Sequence, residues 1–183
     1  MNARFKFLLR ATNALVSLLL LVLLLAHAVS GGFMLLGVNG STAKPLSWAA
    51  MALAAVHALI GLFFTFGTIS RRGAFAYAGL NARFWAIRAS GVAVLLLLCL
   101  HVGAFGTVRS GQFVLFEFTA VKFAAHILLA AALAVHVLCA LRPMLVSLGM
   151  ERVLVINPAL LMFLSVMLLF SAAALIVYFF MWL

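Results

Sequence analysis

The residues whose types and spacing suggest chemistry are five histidines, His27, His57, His101, His126 and His136. Each lies inside a long apolar run, where an ionisable side chain is costly and by default marks function. A single imidazole in such a run is often a packing residue held by one hydrogen bond. Here there is one on each of the first three runs and two on the fourth, with few other polar side chains around them. That pattern favours ligation, because helix bundles build cofactor sites from side chains on facing helices. There is no Asp, and Glu117 and Glu151 are the only Glu residues, so a carboxylate-containing metal site is not expected. Zinc would want three or four ligands at one depth. Haem needs two axial ligands from facing helices, and four histidines make two such pairs. Cys99 and Cys139 lie in apolar runs and read as small packing residues. No C-x-x-C-H occurs, so covalent haem attachment is not indicated.

The elements that must position these histidines are membrane spans. The chain has 183 residues, 69% of them hydrophobic and 8% charged, with a mean hydropathy of +1.36. Those values exclude a soluble or disordered chain, and the length leaves no room for a separate soluble domain. Five stretches reach the roughly 20 apolar residues that a spanning helix needs: residues 7–32, 46–70, 84–108, 118–141 and 158–183. Each run lacks the alternation of a barrel strand, which leaves helix as the spanning structure. Pro45 and Pro158 stand at expected helix starts, and Pro143 just past the expected end of the fourth span. The expectation is one all-α domain over residues 1–183, a polytopic five-helix bundle. Residues 1–28 have some features of a signal peptide, with Ala26-His27-Ala28 as a cleavage-like site. The apolar run is long for that purpose and continues past the site, so it is read as the first span.

Net charge is +10, but the basic residues lie between apolar runs, as topology signals do, rather than forming a nucleic-acid surface. Arg4, Lys6, Arg10, Arg71, Arg72, Arg83, Arg88, Arg142 and Arg152 fall on one side, and Lys44, Arg109 and Lys122 on the other. The positive-inside rule then puts the N-terminus in the cytoplasm and the C-terminus outside. At about 1.5 Å per helical residue, His27 lies about 25 Å beyond Arg10 and His101 about 20 Å beyond Arg88, both near the outer side. His136 lies only about 9 Å before Arg142, near the inner side. His57 computes at about 21 Å from Arg71, which fits an inner level only if the second helix projects past the membrane. His126 falls at the outer level, about 80° around the helix from His136. It lines an outer haem or quinone pocket, competes as a ligand, or simply packs. Gly31, Gly61 and Ala140 follow His27, His57 and His136 by four residues. Small residues on the ligand's own face leave room for a flat macrocycle, although they also suit helix packing.

The sequence resembles the membrane-anchor cytochrome b subunit of the di-haem succinate:quinone oxidoreductases, the succinate dehydrogenase and fumarate reductase family. The likeness is carried by His57-Ala-Leu-Ile-Gly61, a basic loop containing Tyr77, and Arg88-Ala-Ser-Gly91 followed ten residues later by His101. The specific motifs cover about a quarter of the chain, and the five-span layout agrees over most of it. The resemblance implies that His57 and His136 ligate a proximal haem b and that His27 and His101 ligate a distal haem b. It implies a flavoprotein (FAD) subunit and an iron–sulfur subunit on the cytoplasmic face of a bacterial inner membrane. It also implies menaquinone or ubiquinone as the electron-exchanging substrate, and it is compatible with a dimeric complex. The succinate/fumarate chemistry would belong to the flavoprotein, not to this chain.

Two haems would bring four propionates, which need cationic or hydrogen-bonding partners when removed from water. Arg10, Arg71, Arg72, Arg83 and Arg88 are inner candidates, and Lys44, Arg109 and Lys122 outer ones. Arg88 is the best of these because it belongs to the matching motif. Ser90 is a candidate propionate donor, and Gly91 belongs with haem packing. The sequence departs from the family in two places. Ala134 stands where some members carry a proton-transferring Glu, and the region from Gly37 to Lys44 has no carboxylate. Glu117 is the one outer carboxylate, either a proton relay at a quinone site or a loop charge paired with Lys122. Two other readings compete. One is a cytochrome b anchor of a nitrate reductase-, hydrogenase- or heterodisulfide reductase-type complex. The other is a haem-free transporter or assembly protein.

Overall fold

A computed structural model describes residues 2–37, 43–70, 75, 78–110, 112–150, 152 and 158–181. Arg71, Arg72, Tyr77, Glu151 and the side chain of Lys44 lie outside the described part. The chain forms α1 (Ala3–Leu35), α2 (Ala43–Ile69), α3 (Ala82–His101), β1 (Gly106–Arg109), β2 (Gln112–Leu115), α4 (Ala120–Ser147) and α5 (Pro158–Phe180). All five helices are long and apolar enough to cross a bilayer. Helix satisfies every backbone N–H and C=O within the segment, which a lipid solvent demands. Leu59, Leu96, Leu128 and Leu169, on four different helices, are each more than half exposed. A surface of that kind is stable against lipid tails and not against water. The protein is an integral membrane protein with an α-helical bundle fold.

Two helix ends differ from the sequence expectation. The third span was expected to run to residue 108, but α3 stops at His101. Gly103 then takes φ +74°, a left-handed conformation open to glycine. Residues 106–109 pair antiparallel with 112–115 instead, with Gly106 opposite Leu115 and Arg109 opposite Gln112. The Ser110-Gly111 step is a two-residue hairpin signal, which apolar content alone conceals. The fourth span was expected to end at Leu141 with Pro143 beyond it, but α4 passes through Pro143 to Ser147. A proline there leaves the carbonyl four residues back without its helical donor. That carbonyl belongs to Cys139, and Arg83 Nε donates to it at 2.9 Å. The helix ends instead at Gly149, φ +71°, where Met150 N–H donates to Leu145 O (2.8 Å) and Gly149 N–H to Val146 O (3.1 Å). This is the Schellman pattern.

α1 packs along α2, and α3 along α4. α1 also meets α4, and α2 touches α3 sparsely, so these four helices form a ring. α5 lies outside the ring against α1 and α4. Gly32 admits it: a Cβ there would stand 2.7 Å from Phe170 Cε1. Leu141, Leu145 and Leu164 join α4 to α5, flanked by Leu21 and Leu25 of α1. Phe118, Leu175 and Tyr178 form a second buried cluster with Phe105 beside the hairpin. There Tyr178 donates its hydroxyl to Phe116 O at 3.2 Å.

Candidate functional site

Each helix of the ring carries a histidine and a hydrogen-bonding side chain ten or eleven residues apart, and the helices pair them in reverse order. On α1 the residues are Ser17 and His27, and on the antiparallel α2 they are Ser47 and His57. Ser17 Oγ lies 3.0 Å from His57 Nδ1, and Ser47 Oγ lies 3.1 Å from His27 Nδ1. On α3 they are Ser90 and His101, and on α4 His126 and His136. Ser90 Oγ lies 3.3 Å from His136 Nδ1. Ten helical residues span about 15 Å, so the side chains fall on two levels that far apart.

Across the ring, the His57 and His136 rings face each other with centres 6.0 Å apart and planes at 80°. The His27 and His101 rings do the same at the other level, 5.9 Å apart and at 82°. Among the described residues no hydrogen bond joins the two rings of either pair. Two iron–nitrogen bonds of about 2 Å, with roughly 1 Å from each nitrogen to its ring centre, would set imidazole centres roughly 6 Å apart across one metal. The separations fit a shared central atom, and they fit an edge-to-face ring contact equally well.

The serines also decide which ring nitrogen carries the proton. Ser17 Oγ donates its one hydrogen to Asn13 O at 2.7 Å, so towards His57 it accepts, and His57 Nδ1 carries the proton. His136 Nδ1 lies 3.0 Å from Ile87 O, and a carbonyl only accepts, so this Nδ1 is protonated too. Ser90 Oγ donates to Ala86 O at 2.6 Å and accepts from His136. In both rings Nε2 keeps its lone pair. Fixing the tautomer by an Nδ1–H bond is the usual outer support of a ligating histidine. The sequence reading gave Ser90 a propionate role, but the serine stands behind His136. Gly91 is also set against His136, since a Cβ there would meet Cε1 at 3.0 Å. A Cβ at Gly31 or Gly61 would meet nothing within 4 Å, so both leave open space one turn from their histidines.

His57 shares the level of His136 despite its distance from Arg71. The Arg10 guanidinium lies 5.9 Å from the Phe64 ring, and Phe64 is seven residues past His57. α2 therefore continues about 9 Å beyond the level of Arg10 before reaching Ser70. Arg10 and Lys6 line a cleft of about 500 Å³ there with Phe63, Phe64 and Thr68.

The other basic candidates divide by their contacts. Arg88 holds its guanidinium carbon 3.3 Å from the centre of the Phe84 ring, and Nη1 reaches Phe84 O at 3.4 Å. Its Nε is buried without a partner, and its chain neighbour Ile87 accepts from His136. Arg83 gives its Nε to Cys139 O, which supports α4 and leaves its two Nη groups for other partners. Arg109 is exposed on the hairpin. Lys122 Nζ donates to the main-chain carbonyl of Glu117 at 2.7 Å, so the contact expected between their charges runs through the backbone. Glu117 is exposed.

His126 is the most buried of the five histidines, 6% exposed. Its Nδ1 lies 2.6 Å from Lys122 O and is therefore protonated. Its ring centre is 5.2 Å from that of His101 and 4.6 Å from that of Phe105. Phe118, 5.8 Å away, completes an aromatic lid over it.

No protein-family model, no curated protein and no solved structure matches this chain.

Sequence reasoning missed Ser17 and Ser47, which stand behind His57 and His27, and the lid of Phe105 and Phe118. A signal for the serines was present. In spans with few polar residues, Ser17 precedes His27 and Ser47 precedes His57 by ten residues. Antiparallel packing converts that repeat into two crossed pairs.

Proposed function

We propose that the chain is the membrane-anchor cytochrome b subunit of a succinate:quinone oxidoreductase, a succinate dehydrogenase or fumarate reductase, exchanging electrons between iron–sulfur clusters and a membrane quinone. The observation that carries this reading is the pair of facing imidazoles at each of two levels, 6.0 Å and 5.9 Å apart. Two b-type haems would supply one-electron carriers. His57 with His136 and His27 with His101 would hold them, the first pair through Nε2 lone pairs that its Nδ1 hydrogen bonds leave free. The unpartnered Arg88 Nε suits a propionate, because a buried cationic donor left unmatched is costly. Gly31 and Gly61 would leave room for the macrocycle.

The charge distribution supports a cytoplasmic N-terminus in a bacterial inner membrane. The flavoprotein and iron–sulfur subunits would then dock at the end that carries Arg4, Lys6 and Arg10. A site for one metal ion has less support, since it wants three or four ligands, and among the described residues no group of three or more His, Cys, Asp or Glu comes together to hold one.

The test is a reduced-minus-oxidised spectrum with haem stoichiometry on protein purified from its native membrane. Two b-type haems per chain are expected, with a flavoprotein and an iron–sulfur protein co-purifying. Absence of b-type absorption after reconstitution with haem would defeat the reading. Co-purification with a different redox partner would reassign the chain to another quinone-linked complex.

A further inference from the structure

Two imidazole nitrogens are buried without any hydrogen-bond partner, Nδ1 of His101 and Nε2 of His126. They belong to neighbouring rings. An N–H···N hydrogen bond of about 3 Å, with roughly 1 Å from each nitrogen to its ring centre, places ring centres roughly 5 Å apart. The observed separation is 5.2 Å. His126 Nδ1 is committed as a donor to Lys122 O at 2.6 Å, so Nε2 bears a lone pair and can only accept. His101, if it ligates through Nε2, carries its hydrogen on Nδ1 and has only that to give. One needs a donor and the other an acceptor, and χ2 of an imidazole is a soft torsion about which each ring can reorient.

We infer that His126 is the hydrogen-bond acceptor for the Nδ1–H of His101, a positioning residue for the distal haem ligand rather than a ligand itself. The inference rests on the di-haem reading above and deepens it. It supplies the outer support that His101 otherwise lacks: His57 has Ser17, His27 has Ser47, and His136 has Ser90 and Ile87 O. The chain of donors runs from His101 Nδ1 to His126 Nε2 and from His126 Nδ1 to the Lys122 carbonyl. Both nitrogens are buried, with Phe105 and Phe118 packed over the His126 ring. Accepting the Nδ1 hydrogen raises the basicity of the ligating nitrogen, which favours the oxidised iron and lowers the potential of that haem alone.

The experiment is an optical redox titration of the purified complex, wild type against His126→Leu and His126→Gln. His126→Leu should keep both low-spin haems and raise one midpoint potential while leaving the other unchanged. His126→Gln, whose amide oxygen can accept, should return part of that shift. In the wild-type complex with both haems reduced to diamagnetic low-spin iron(II), ¹⁵N NMR of labelled histidine should show coupling between the two ring nitrogens, a readout that needs no variant to fold. Unchanged midpoints in a two-haem His126→Leu protein, or no such coupling, overturns the inference and leaves the di-haem reading standing. Loss of one haem in His126→Leu with both haems kept in His27→Ala makes His126 the ligand and also overturns it. A wild-type preparation without b-type haem overturns the di-haem reading, and this inference with it.

Discussion

Ser17 accepts the Nδ1 hydrogen of His57 at 3.0 Å because its own hydrogen is committed to Asn13 O. One hydroxyl thereby sets the tautomer of a histidine on the neighbouring helix. Ser17→Ala removes the acceptor and leaves the His57 donor unmatched. Outer-shell losses of this kind typically weaken metal binding by about 10–100-fold. We expect Ser17→Ala to release one haem more readily under mild detergent dilution while the second stays bound, as read from the haem-to-protein ratio. Equal loss of both haems would contradict a level-specific role.

The two levels should be separable by ligand removal. His57→Ala and His136→Ala are each expected to delete the same spectral component, and His27→Ala and His101→Ala the other. The check is low-temperature optical spectroscopy of the four variants. Four different residual spectra would show that the pairs seen across the ring are not the ligand pairs.

Gly91 brings the α3 backbone close against the His136 ring. A Cβ added there stands 3.0 Å from His136 Cε1 and 3.3 Å from Nδ1, and the ring is held in place by Ser90 and Ile87. Overpacking a constrained site typically costs about 1–3 kcal/mol. Gly91→Ala should lower thermal stability in detergent by that order and perturb the spectrum of the His57–His136 haem alone. At Gly61, where a Cβ would meet nothing within 4 Å, alanine should leave the stability of the haem-free chain unchanged.

Arg83 and Pro143 are expected to be energetically coupled. The proline removes the natural donor to Cys139 O, and Arg83 Nε replaces it. Arg83→Ala should destabilise the wild-type chain by about 1 kcal/mol. In a Pro143→Ala background, where the helical N–H returns, the same substitution should cost nearly nothing. A double-mutant cycle on thermal unfolding measures the difference. Equal costs in both backgrounds would remove Arg83 from the support of α4.

The five helices were legible because lipid permits little else: a continuous apolar run of bilayer length has to satisfy its backbone as a helix. The histidines were legible for the same reason, since polar side chains stand out against those runs. Which end of a run turns away from helix was not legible. At residues 106–115 and at Pro143 the outcome depends on partners distant in sequence, a hairpin strand in one case and Arg83 in the other. Depth arithmetic from flanking charges also left His57 uncertain, because it assumes that a helix stops at the membrane edge. Only the packing of α1 on α2, with Arg10 level with Phe64, shows that α2 runs further. By itself the sequence determined that imidazoles lie at membrane depth on four helices. The tertiary structure alone decided which rings face each other, which nitrogen carries the proton in His57, His126 and His136, and that the His126 ring lies beside His101. Those are relations between helices, and rotation and register about a helix axis are set by side-chain contact, which a single apolar run does not record.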